Sequence, residues 1–149
     1  MPMNQGSKWK MTEPKNWVID ANIILRAVLN DIPDQAEKVN QLLQEAKTGV
    51  VLLFVPEPVI SDVIYVLSGL KVPKNEIAET IRDWLNLPGV TTLGIDFNVV
   101  YTALDLFVDK NIKWSDALIA ARMFEWGYTD LCTFDRHFER INGITTIRP

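Results

Sequence analysis

Residues 50–54, "VVLLF", form an apolar run with no polar face. A strand of that kind is typical of a parallel sheet, because helices cover both faces of such a sheet. On either side of this run, the chain alternates between short β-rich segments and longer segments with helical periodicity. The alternation predicts an α/β fold with a mainly parallel central sheet.

The remaining elements follow from the same periodicities. Residues 16–20, "NWVID", predict a strand that ends at Asp20, and strands are also expected over 90–93, 131–134 and 145–149. Helices are expected over 22–30, 34–49, 59–70, 73–89, 96–110 and 115–127. The helix over 115–127 is apolar almost all the way round, which predicts that it lies in the interior.

Length and composition indicate a single domain. The 149 residues, of which 48% are hydrophobic, suffice for one core, and we expect a disordered leader over 1–16 and one domain over 17–149. The single Cys132 and single His137 exclude a disulfide within the chain and a Cys/His zinc cluster. We therefore expect a reducing, cytoplasmic setting. No apolar run approaches the roughly 20 residues that a membrane helix needs.

The net charge of −4 argues against an extended phosphate-binding surface. Any contact with nucleic acid must therefore be local. The glycines are scattered, and the sequence has no glycine-rich phosphate loop.

Four aspartates are the candidates for chemistry. Asp20 and Asp135 follow predicted strands, Asp116 lies in the first turn of a predicted helix, and Asp62 lies at the border of a helix face. Three of them have a simple structural explanation when taken singly, as a helix cap, a partner of the helix dipole or a turn residue. The carboxyl ends of parallel strands and the starts of the following helices share one edge of a sheet, so we expect a cluster there.

Clustered carboxylates raise one another's pKa unless a cation compensates their charge. Oxygen ligands without Cys or His favour Mg²⁺ or Mn²⁺. Such a cation activates water and neutralises charge on a phosphodiester, so no nucleophilic side chain is needed. Asn22, Ser115 and Thr133 either orient the ligands or cap the local backbone, and the two interpretations are equally weighted. His137, in the charged stretch "DRHFER", is expected to be exposed.

Four segments carry a resemblance to a known family. They are "VIDANIILR", "VISDVIYVL", "WSDALIAARM" and "TFDRHFERI", in that order. The segments lie between Val18 and Ile141, and the match as a whole extends from Val18 to Ile147. The set resembles the signature segments of PIN-domain ribonucleases, especially the VapC-type toxins of toxin–antitoxin pairs. The resemblance implies a three-layer α/β/α domain, Mg²⁺-dependent hydrolysis of RNA, an antitoxin partner and a homodimer.

The resemblance also implies roles for individual residues. Asp20, Asp116 and Asp135 fall on the family's metal-binding aspartates, and Asn22 and Thr133 fall on its frequent polar companions. Asp62 falls where the family usually has Glu, which is one methylene longer, and we include Asp62 among the catalytic residues. Glu57 is the other acid in this region, but it is out of register with the motif.

Three other functions are compatible with parts of the sequence. A PIN-like module that binds RNA or protein but cleaves little would agree with Asp at position 62. A phosphatase with an aspartyl nucleophile would usually need a second Asp where Asn22 stands. A DNA-directed nuclease of the same fold remains open, although the sequence has no extended DNA-binding arm.

Overall fold

The structure of the protein, a computed structural model, describes residues 13–149. Most of the predicted leader, residues 1–12, lies outside the described residues. Within 13–149 the strands are β1 Lys15–Val18, β2 Val51–Pro56, β3 Val90–Leu93, β4 Asp130–Cys132 and β5 Thr145–Ile147. The α-helices are α1 Ala21–Leu29, α2 Pro33–Lys47, α3 Glu57–Gly69, α4 Lys74–Leu85, α5 Phe97–Asp109 and α6 Trp114–Trp126, and a 3₁₀ helix spans Arg136–Arg140.

The paired strands of residues 13–149 are all parallel. Strand β2 lies between β1 and β3, with Trp17 opposite Leu53 and Val55 opposite Thr92. Strands β4 and β5 form a separate parallel pair. Helices connect each strand to the next in the three-stranded sheet, as parallel pairing requires. The predicted three-layer α/β/α class with a parallel sheet is confirmed.

Strand β2 forms the centre of the core. Val51, Leu53 and Val55 are fully buried, whereas the intervening Leu52 and Phe54 are partly buried. Burying an aliphatic side chain of this size contributes about 1.5–3 kcal/mol, so Val51, Leu53 and Val55 stabilise the sheet. Because β2 runs parallel to β1, both strands end at the same edge of the sheet, where β2 leads into α3.

Helix α6 differs from its predicted interior position. Ala117, Ala120 and Ala121 are buried, but Ile119 is 43% exposed and Trp126 is 70% exposed. The buried side contacts α5, and the opposite side remains at the surface. Apolar residues all round a helix therefore mark a surface helix here, with one face in the core and one outer apolar face.

Strand β1 begins at Lys15, two residues before the predicted start of the domain. Lys15 pairs with Val51, so the last two residues of the predicted leader are part of the sheet. Among the helices of residues 13–149, none has the length and apolar character needed to span a membrane.

Candidate metal centre

Asp116 and Asp135 meet at one edge of the fold. Asp116 lies in the first turn of α6, and Asp135 follows β4 and caps the 3₁₀ helix. Together with His137 they form a group in which one ligand atom of each residue lies within 4.8 Å of the others. A strand end and a helix start therefore bring two of the predicted acids together.

A tight turn fixes the carboxylate of Asp135. Its Oδ1 accepts a hydrogen bond of 2.8 Å from the backbone N–H of His137 and lies 2.9 Å from the imidazole Nδ1 of the same residue. The hydroxyl of Thr133 accepts a hydrogen bond of 2.9 Å from the backbone N–H of Asp135. Thr133 thus shapes the turn, while His137 holds one oxygen of Asp135 and leaves the other for a ligand.

The carboxylate of Asp116 has an unusual environment. Its Oδ2 is buried and has no hydrogen-bond partner within residues 13–149. Burial raises the pKa of Asp116, the negative charge of Asp135 raises it further, and the positive charges of Lys113 and His137 oppose the rise. Burying a carboxylate oxygen without a hydrogen-bond partner costs free energy, and a proton or a cation bound there would reduce that cost.

Asp135 shows the opposite behaviour. The backbone N–H of His137 lowers the pKa of Asp135, and the charges of His137 and Lys113 lower it further against the effect of burial. The pair therefore combines one carboxylate held in its charged form with one whose charge is poorly compensated. Shifts of this kind, caused by burial and by a specific neighbour, are frequent at functional sites.

This donor set fits a hard divalent cation. Two carboxylates supply the oxygen ligands that Mg²⁺ and Mn²⁺ take, and the unpartnered Oδ2 of Asp116 gives such an ion a position where it would remove an existing electrostatic cost. The imidazole of His137 is an additional nitrogen donor, which is better suited to Mn²⁺ than to Mg²⁺.

Asp20 and Asp62 lie outside the group of three. Asp20 caps α1, where its Oδ1 accepts hydrogen bonds of 3.1 Å and 3.3 Å from the backbone N–H groups of Asn22 and Ile23. Its carboxylate follows β1 at the same edge of the sheet, and its side chain is exposed. Asp62 is exposed on α3 and lines a cavity together with Ser115, the residue before Asp116.

Glu57 has a different role from Asp62. Its Oε2 accepts a hydrogen bond of 2.7 Å from Arg122, which also donates to the backbone carbonyl of Gly94. The ion pair joins the start of α3 to the middle of α6. Glu57 is thus engaged in a structural contact, which supports the choice of Asp62 as the acid of this motif.

Two residues near the acids were not predicted from the sequence. His137 was expected to be merely exposed, yet it is part of the group of three; its spacing of two residues from Asp135 in a turn was the available signal. Lys113, at the cap position of α6, affects the pKa of both acids. Ser115 and Asn22 are exposed, and the backbone of Asn22 takes part in the cap at Asp20.

Comparison with known proteins agrees with the motifs. A VapC ribonuclease of Aquifex aeolicus is 25% identical over 138 residues, which cover 89% of this chain and 96% of that protein. The chain is also similar to a chain in the crystal structure of VapBC2 from Rickettsia felis bound to a DNA fragment from their promoter. The match covers 89% of this chain and 98% of that chain. Its identity is 15% and its TM-score is 0.38.

The match to a VapC ribonuclease and a match to the PIN domain model confirm the resemblance that the four segments indicated. The PIN domain model matches residues 17–144, a range that contains all four segments. The chain therefore belongs to the PIN domain family.

Proposed function

We propose that this protein is an endoribonuclease of the VapC type that depends on Mg²⁺ or Mn²⁺ and hydrolyses RNA phosphodiester bonds. The observation that carries the proposal is the carboxyl group of Asp116, whose buried Oδ2 lacks a hydrogen-bond partner within residues 13–149 and which belongs to the group of three with Asp135 and His137. The similarity to a VapC ribonuclease supports RNA as the substrate.

The residues of the site have distinct roles in this proposal. Asp116 and Asp135 hold the cation, and His137 orients Asp135 through its contact at 2.9 Å. Asp20, at the carboxyl end of β1, is the third ligand, and Asp62 is the fourth catalytic acid. A bound cation supplies charge neutralisation on the phosphate oxygens and acidifies a water molecule.

Cleavage of RNA under metal control tests the proposal. Purified protein should cleave single-stranded or structured RNA with Mg²⁺ or Mn²⁺ and should stop when EDTA is added. Asp116→Asn and Asp135→Asn should each lose at least about 100-fold in rate, because removing one contributor to transition-state electrostatics typically costs 10²–10³.

Asp83→Asn is the matched control, since Asp83 is exposed on α4 and lies outside the group of three. It should cleave at the wild-type rate. Full cleavage in excess chelator, or wild-type rates in both Asp116→Asn and Asp135→Asn, would contradict the proposal.

A second candidate is a PIN-like module that binds RNA or protein and cleaves little. The observation in its favour is that Asp20 and Asp62 lie outside the group formed by Asp116, Asp135 and His137. Under this alternative, RNA binding would depend on the cation as it does for a ribonuclease, but no cleavage product would form at any Mg²⁺ or Mn²⁺ concentration.

Two protein partners belong to the proposal, an antitoxin and a second copy of the chain, both on the strength of the resemblance to VapC-type toxins. Ile119 and Trp126, both exposed on α6, support a partner-binding face, because exposed apolar clusters mark interaction sites. Co-expression with the protein encoded by the adjacent gene should give a complex that does not cleave RNA. Light scattering on the isolated chain should give twice its mass. The cytoplasm is the proposed location, consistent with the free thiol of Cys132.

A further inference from the structure

A cavity of about 680 Å³ lies between α3 and α6. Asp62, Tyr65, Lys113 and Leu118 line it together with Ser115, the residue before Asp116. Ligand pockets commonly have volumes of roughly 300–1,000 Å³, so the cavity can hold a nucleotide. We call this cavity the α3–α6 groove.

Trp114 and Phe107, two aromatic residues that line the α3–α6 groove, are held in place by their neighbours. The indole Nε1 of Trp114 donates a hydrogen bond of 2.9 Å to the hydroxyl of Ser61, which ties α6 to α3. Phe107 packs edge-on against Trp114, with ring centroids 6.1 Å apart and planes at 90°. These contacts position both aromatic rings before a ligand binds, so binding requires little ordering of side chains.

Lys74 also lines the α3–α6 groove. Its Nζ lies 4.4 Å from the ring centroid of Phe107 and donates a hydrogen bond of 2.7 Å to the backbone carbonyl of Ile112. Burial lowers the pKa of Lys74. Lys74 and Lys113 are basic residues of the groove in a protein of net charge −4.

Two exposed side chains of the groove, Tyr65 and Lys113, supply an aromatic ring and a basic group. Tyr65 is 80% exposed, on the same helix as Asp62 and one turn further along. Lys113 is exposed, and its charge is close enough to Asp116 and Asp135 to affect both carboxylates. A ring at one position and a cation beside the acids match the alternation of base and phosphate along a nucleic-acid strand.

We propose that the α3–α6 groove binds the nucleotide next to the scissile phosphate of single-stranded RNA, with Tyr65 stacking on the base and Lys113 contacting the phosphate. This inference rests on the proposed ribonuclease function and adds the position and the chemistry of substrate recognition. The charge of the groove favours RNA over an apolar peptide, because Lys113 and Lys74 are the cations that line it among the described residues. Stacking accepts any base, so the groove favours single strands without strict base specificity.

Binding of RNA in the absence of cleavage tests this inference separately from the ribonuclease function. The full chain carrying Asp116→Asn, which is expected not to cleave, is titrated into a short fluorescein-labelled oligouridylate, and Kd is measured by anisotropy. Adding Tyr65→Ala should raise Kd by about tenfold, within the range of one base stacking on one aromatic ring. Tyr65→Phe should leave Kd within about twofold, because the ring that stacks is retained.

Tyr128→Ala is the matched control, since Tyr128 is 66% exposed and lines a different cavity. It should leave Kd unchanged, and Lys113→Gln should raise Kd and reduce its dependence on salt. In the cleaving wild-type background, Tyr65→Ala should raise KM while kcat stays nearly constant.

Three results would overturn the inference: a parent protein that does not bind the oligonucleotide, an unchanged Kd for Tyr65→Ala, or equal losses for Tyr65→Ala and Tyr128→Ala. Unchanged RNA binding by Tyr65→Ala together with loss of a protein partner would assign the groove to that partner and would also overturn it. Failure of wild-type cleavage with normal effects on Kd would instead contradict the ribonuclease function alone.

Discussion

At the scale of single residues, Asp116 carries the one buried side-chain oxygen that has no hydrogen-bond partner in residues 13–149. Its Oδ2 is buried without a hydrogen-bond donor, and Asp135 adds a like charge nearby. Both effects raise the pKa of this carboxyl group above its ordinary value. The same carboxylate becomes favourable when a divalent ion binds, so the cost in the absence of metal and the binding of metal have one physical origin.

Asp116→Asn should therefore stabilise the protein in EDTA at neutral pH. An amide removes the like charge and can donate to Asp135, which should raise the free energy of unfolding by about 1 kcal/mol. Chemical denaturation of both proteins in EDTA measures the difference. At saturating Mn²⁺ the order should reverse, because the wild type gains about 2.7 kcal/mol at a cation concentration of 100 Kd.

The difference in EDTA should also depend on pH with a definite sign. The pKa of Asp116 is raised on folding, so its favourable protonation is fully present below the unfolded pKa near 3.9 and is lost as pH rises through the folded pKa. Wild type and Asp116→Asn should converge in acid and diverge towards neutral pH. Asp83→Asn should give no such divergence, and equal curves for Asp116→Asn and wild type would contradict the electrostatic assignment.

Asp62 is the residue where the two functional candidates differ most. Suppose that the carboxylate of Asp62 binds the cation but that its side chain is slightly too short for an ideal metal–oxygen distance. Asp62→Glu should then keep or raise the cleavage rate at limiting Mg²⁺, and Asp62→Ala should lower it. The reason is that one methylene moves the oxygens by about a bond length, and metal–oxygen distances near 2.1 Å tolerate little slack. Cleavage rates measured against Mg²⁺ concentration distinguish the cases, and three superimposable curves would remove Asp62 from the site.

The sequence predicted part of the site for a clear reason. Asp116 and Asp135 follow from topology, since a strand end and a helix start at one sheet edge place their side chains close together. His137 was not predicted, because its position depends on the turn that its own backbone makes with Asp135. The orientation of Asp20 was equally inaccessible, because a capping aspartate and a ligand aspartate have the same sequence signal.

At the scale of secondary-structure elements, α6 both carries Asp116 and packs against α5. Small buried residues dominate its inner face: Ala117, Ala120 and Ala121 are at most 2% exposed. Small side chains allow two helices to approach closely, and the position of Asp116 at the first turn depends on that approach. Periodicity in the sequence indicated the helix but not its outer face, because an apolar outer face has the same pattern as a buried one.

Ala120→Leu should destabilise the protein by about 1–3 kcal/mol, the usual cost of overpacking a filled core. It should also weaken cation binding, since α6 must move away from α5 and carries Asp116 with it. Urea denaturation measures the first effect, and titration with Mn²⁺ followed by paramagnetic resonance measures the second.

Ile119→Leu is the matched control at the neighbouring position. Ile119 is 43% exposed, so the change should stay within about 0.5 kcal/mol and leave Mn²⁺ affinity unchanged. Normal stability of Ala120→Leu would mean that the interface between α5 and α6 has free space.

At the scale of the whole molecule, the charge distribution limits how RNA can bind. A protein with 19 acidic residues against 15 lysines and arginines repels a polyanion at long range. Attraction must come from the α3–α6 groove, where Lys113 and Lys74 lie, and from a bound cation. Association should accordingly be governed by local contacts.

The salt dependence of RNA binding measures this limit directly. For single strands, the slope of log K against log salt is about −0.7 for each phosphate contact, so one or two contacts give about −0.7 to −1.4. Anisotropy titrations of the Asp116→Asn protein over a series of KCl concentrations should return a slope in that range, and Lys113→Gln should reduce its magnitude by about 0.7. Lys47→Gln, at the exposed end of α2, should leave the slope unchanged. A slope steeper than about −3 would require more than four phosphate contacts, which the two lysines of the groove cannot provide, and RNA would then have to cross a second basic surface.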